Sequence, residues 1–84
     1  MNIIYYVDFK SPQINKDFSL SNALIEEHTV LLVTNDEQLR NSIDFYDVVL
    51  IGVSMIECNL NINKKSIKIQ KDWGISQISE ELNK

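Results

Sequence analysis

Residues 47–53, Asp47-Val48-Val49-Leu50-Ile51-Gly52-Val53, restrict the folds open to this chain more tightly than any other stretch. Aliphatic residues, most of them β-branched, follow one another without alternation from a leading charge to a single glycine. Such a run has no face to offer to water. It suits a strand buried on both sides, as in a parallel sheet covered by helices. Two further runs, Ile3-Ile4-Tyr5-Tyr6-Val7 and Thr29-Val30-Leu31-Leu32-Val33, have the same character.

The intervening segments supply the helical crossovers that parallel strands require. After a first strand at 2–7, residues 9–16 read as a loop, because the residue before Pro12 is steered away from helix. A first helix starts near Asp17 or Ser19. Leu20, Ala23 and Leu24 fall on one helical face, and Glu26-Glu27-His28 close it. A second strand at 29–34 leads to Asn35 or Asp36, either a good N-cap, with Asp36 and Glu37 placed where the helix dipole favours acids. Leu39 and Ile43 form the core pair of this helix, finished by Phe45 or Tyr46.

The periodicity then changes. Cys58, Leu60 and Ile62 alternate with asparagines, and Ile67 and Ile69 alternate with polar residues. Period two predicts a half-wet β-hairpin, turned at Asn63-Lys64-Lys65 and added antiparallel at the sheet edge. Ile75, Ile78 and Leu82 mark a last helix within 74–83, with Trp73, just outside its start, stapled against Ile78. The expected fold is thus α/β: a small Rossmann- or flavodoxin-like β-α-β-α-β parallel sheet, extended by an antiparallel hairpin and a C-terminal helix. Its 84 residues make one domain, 1–84, with a core thin enough to lean on a partner surface.

Charge narrows the partners. The net charge of −4 disfavours nucleic acid, whose phosphates demand a basic surface. Up to Glu57, three bases (Lys10, Lys16, Arg40) stand against nine acids. Beyond it the balance reverses, with Lys64, Lys65, Lys68 and Lys71 close together. They read either as guards of an exposed strand edge or as a basic ridge for an acidic protein partner, with Trp73 beside it. Cys58 is the single cysteine, so there is no disulfide framework and no CxxC motif. No leader and no long apolar span are visible, so a cytoplasmic protein without membrane contact is expected.

Motifs for chemistry are lacking. Two glycines do not build a phosphate-cradling loop. His28 sits where a cation suits a helix C-terminus, and Cys58 reads as a small apolar group. No cofactor, metal or catalytic residue is assigned. The best ligand candidates are Asp8, Asn35 and Ser54, each just after a strand, on the rim where open α/β sheets bind ligands. Residues of these types also cap the elements that follow them.

Val7-Asp8, Leu24-Ile25-Glu26-Glu27 and 47–55 together resemble the first half of a response-regulator receiver domain. Asp8 would supply one acid of that family's acidic pair, but Phe9 stands beside it. The phosphoacceptor position falls on Gly52, and Met55 is followed by Ile56 where the family usually has proline. Lys71 before Asp72-Trp73 would take the place of the family's lysine. The resemblance implies a pseudo-receiver, working through contacts and not through an aspartyl phosphate. Residues 23–34 are also similar to the first helix and second strand of glycosyltransferases built from two Rossmann-like domains, and 8–12 to their first loop. That likeness implies a remnant or split subunit, because most of that family's catalytic residues lie beyond such a length. The expected function is therefore a non-catalytic protein-binding module: a small regulator, inhibitor or accessory subunit. The alternative is a small-ligand or nucleotide-binding half-domain, completed by a partner or by homodimerisation.

Overall fold

The three aliphatic runs become neighbouring parallel strands. The computed structural model describes residues 1–56 and 60–84. In chain order it contains β1 (Asn2–Tyr6), α1 (Ile14–Leu24), β2 (Thr29–Val33), α2 (Asp36–Ser42), a 3-10 turn (Ile43–Phe45), β3 (Val48–Ile51), β4 (Lys65–Lys68) and α3 (Ile75–Leu82). The described residues form a four-stranded sheet in the order β2-β1-β3-β4, parallel at every pairing. Ile3 lies between Val30 and Val48, and Tyr5 between Leu32 and Leu50.

Strand alternation sends side chains into two cores. Ile3, Tyr5, Val48 and Leu50 meet Leu20 and Leu24 of α1 and Ile78 and Leu82 of α3 on one face. Ile4, Tyr6, Val49 and Ile51 meet Leu39 of α2 on the other. Helices on both sides explain why β3 is apolar at every position, since all four of its residues are buried. The α/β class read from the runs is the class observed.

Among the described residues the expected antiparallel hairpin is not formed. Lys65–Lys68 instead continue the sheet in parallel, pairing Val48 with Lys65 and Leu50 with Ile67. Cys58 and Asn59, from the first expected arm, lie outside the described residues. Leu60 and Ile62 of that arm pack against the α2-side core instead of pairing as a strand. Their period-two pattern therefore marks a segment lying across a covered face. The rule that opposes parallel and antiparallel addition is connection length, and residues 52–64 are long enough to cross over.

Helix α1 also begins earlier than expected, at Ile14. Ser11 shapes the turn that leads into it: its Oγ accepts from the Gln13 amide at 3.1 Å and its carbonyl from the Ile14 amide at 3.2 Å. Pro12 sits at the second position of that Ser11–Ile14 turn, just ahead of the helix, where its fixed φ fits. At α2 the expected cap is observed, Asn35 Oδ1 accepting from the Gln38 amide at 2.9 Å. The Tyr6 hydroxyl donates to Asp36 Oδ1 at 2.7 Å and ties that helix start to β1. Trp73 is half-buried against the α1–α3 core, the cluster that holds Ile78.

Candidate functional site

In a sheet ordered β2-β1-β3-β4 the chain leaves β1 toward one side and later returns to the other. The crevice at the carboxyl ends of β1 and β3 is then where this architecture places ligands. Here that crevice is closed from within. Asp17, reaching up from α1, has no solvent exposure. Its Oδ1 accepts from the Tyr5 hydroxyl at 2.7 Å and from the Val53 amide at 2.9 Å, and its Oδ2 accepts from the Ser54 amide at 2.9 Å. Successive amides aimed at one point form a ready anion nest. The chain's own carboxylate occupies it.

The loop around that carboxylate is shaped to fit it. Gly52 backs directly on Asp17, and a Cβ at residue 52 would stand 2.6 Å from Oδ2. The Gly52 amide still donates to the Tyr6 carbonyl at 2.8 Å, and the Met55 amide closes a turn onto the Gly52 carbonyl at 3.1 Å. Lys68 Nζ, from β4, donates to the Gly52 and Met55 carbonyls at 2.7 and 2.8 Å. Burial, then the hydrogen bond to Asp17, then its negative charge push the Tyr5 phenol far above its ordinary range. Tyr5 therefore stays a donor. Tyr5→Phe is expected to cost about 1.5–3 kcal/mol, the range for a hydrogen bond to a charged group, read as a lower urea midpoint at unchanged m-value.

Of the three rim candidates, Asp8 and Ser54 come together and Asn35 does not join them. Ser54 Oγ accepts from the Asp8 amide at 2.9 Å, while Asp8 Oδ1 accepts from the Lys10 amide at 2.9 Å. Ser54 is buried. Asn35 follows β2, on the far side of β1 from Ser54, and its side chain caps α2. All three polar groups are thus engaged within the chain.

The four lysines are not one ridge. Lys65 and Lys68 are three residues apart on β4, so they point to opposite faces of the sheet. Lys65 Nζ donates to the carbonyls of Glu81 and Lys84 at 3.2 and 3.0 Å, at the end of α3. A cation suits that end of a helix. Lys65→Met is accordingly expected to lower stability by only about 0.5 kcal/mol, measured in the same urea titration. Lys64 borders a cleft of about 300 Å³ beneath α2, with Asp36, Arg40 and Asp44. Lys71 is exposed after β4, and its carbonyl accepts from Lys16 Nζ.

Asp17, Tyr5 and Gly52 are the residues that sequence reasoning missed. Two signals pointed to them. Asp17, Leu20, Ser21 and Leu24 are all buried and fall at i, i+3, i+4 and i+7, so an acid sits in the apolar stripe of α1. The lone glycine of an otherwise aliphatic run is the second, since glycine there often marks a close approach.

Among the described residues no group of three or more His, Cys, Asp or Glu could hold a metal, and no helix is long and apolar enough to cross a membrane. No protein-family model, no curated protein and no solved structure matches this chain.

Proposed function

We propose that the chain is a non-catalytic protein-binding module, acting by surface contact as a regulator, inhibitor or accessory subunit. The observation that carries this reading is Asp17. A crevice whose backbone donors are already satisfied by an internal carboxylate offers little to an anionic substrate or a nucleotide phosphate. The half-exposed Trp73 and the exposed Lys71 supply contact chemistry at the β4 side. On this reading a receiver-like ancestry has lost the acceptor at Gly52 and kept the contacts.

The test is affinity capture from native extract, with Lys64→Glu/Lys71→Glu as control. Lys65 and Lys68 are left intact because both hold backbone carbonyls. One stoichiometric protein partner, lost in the control, is the expected result. The half-domain reading predicts the reverse: no protein capture, and a small ligand that raises Tm by mass action until Asp8→Ala abolishes the effect.

A further inference from the structure

The two edges of the sheet are unlike. β4 is guarded by Lys65 and Lys68, the usual defence against strand addition. β2 has no such guard. Thr29-Val30-Leu31-Leu32-Val33 contains no charge and no proline, and its register with β1 is unbroken. Val30, Leu31 and Leu32 are half-buried, unlike their counterparts in β1 and β3.

Hydrogen bonding makes the open stretch specific. The Thr29 amide donates to Met1, and the Val33 carbonyl accepts from the Val7 amide, so the odd residues of β2 bond inward to β1. The amides and carbonyls of Val30 and Leu32 therefore point outward, where no strand pairs with them among the described residues. Both ends of the edge are closed. The His28 amide is taken by the Leu24 carbonyl at 2.9 Å, and the Thr34 amide by Gln38 Oε1 at 3.0 Å.

Charge then selects the occupant. Exposed acids flank the open edge on both sides, Glu26 and Glu27 before it and Asp36 and Glu37 after it. A second copy pairing antiparallel through β2 would bring the acids before one strand toward those after the other, and like charges so placed are unfavourable. We infer that the outer edge of β2 takes up an extended segment of a partner protein, apolar at its centre and flanked on both sides by lysine or arginine. Main-chain hydrogen bonds to Val30 and Leu32 supply the affinity, and the acidic flanks supply the choice of partner. This inference rests on the binding-module reading.

The probe is a synthetic peptide of alternating valine and threonine with paired lysines at each end, compared with the same peptide ended by glutamates. Amide shifts of the isotope-labelled chain locate binding. The lysine-ended peptide is expected to shift the amides of Val30 and Leu32 and to bind at least about tenfold more tightly than its counterpart, since several surface charge pairs act together. Glu26→Lys/Glu27→Lys/Glu37→Lys should invert that preference. Val30→Pro should abolish binding without unfolding, because proline is tolerated where an edge amide faces outward. Equal binding of both peptides, or shifts confined to other elements, would overturn the inference. So would failure of the lysine-ended peptide, whether the chain sediments as a monomer or as a dimer paired through β2. A protein partner still captured through Lys64 and Lys71 in that event would leave the binding-module reading standing and remove only the β2 edge.

Discussion

Asp17→Ala is expected to lower the chain's stability by about 4 kcal/mol or more, a third or more of what a domain of this size has. The substitution removes the acceptor for three donors at once, the Tyr5 hydroxyl and the amides of Val53 and Ser54. Each buried donor left unsatisfied costs about 1–3 kcal/mol, so a total near 4 kcal/mol or more follows. A domain of this size has a stability of only about 4–12 kcal/mol. Asp17→Asn separates acceptor loss from volume loss: its amide keeps one acceptor oxygen but turns an NH₂ group toward donors, and about half the cost of Asp17→Ala is expected. Urea unfolding in a stabilising osmolyte, followed by Trp73 fluorescence, measures both. A loss below about 1 kcal/mol for Asp17→Ala would mean that water takes over the three donors, and the crevice would then be hydrated and open to ligands.

The reach of the sequence follows from what each signal reports. Unbroken aliphatic runs report two-sided burial, and that placed β1, β2 and β3 and made them parallel. Asn35 was legible as a cap because capping is local, decided within three residues of chain. The last strand departs from its expected pairing because alternation reports only that one side of a segment is wet. It does not report which neighbour the segment joins, and β4 found β3 in parallel. The start of α1 turns on Pro12, which bars helix only from the residue before it and leaves the chain free to begin one two residues later, after a tight turn. Strand order brings the Asp8 amide and Ser54 Oγ within hydrogen-bond distance, yet the group that closes their crevice comes from α1, more than thirty residues before Ser54 in the chain. A contact of that separation leaves no spacing to read. It leaves only an acid in an apolar stripe and a glycine in an aliphatic run.

Gly52→Ala tests that long-range fit from the other side. None of the described glycines has a positive φ, so residue 52 is glycine for room and not for backbone freedom. An added Cβ would lie 2.6 Å from Asp17 Oδ2 and 2.8 Å from Oδ1 and Cγ, closer than real contacts come. Alanine restricts the unfolded chain and by itself would add about 0.4–1 kcal/mol of stability. Overpacking at a rigid site costs about 1–3 kcal/mol, and displacing the carboxylate also strains its three hydrogen bonds. The clash should win, with a net loss of about 2–3 kcal/mol. The decisive measurement is the double-mutant cycle with Asp17→Ala, run in a stabilising osmolyte so that every variant folds. With the carboxylate gone the new methyl has space, so Gly52→Ala should turn neutral or mildly stabilising and leave a coupling of about 2–3 kcal/mol. Additive losses would show that residue 52 is held small by something other than Asp17, and the carboxylate would no longer account for the glycine that interrupts the central strand's aliphatic run.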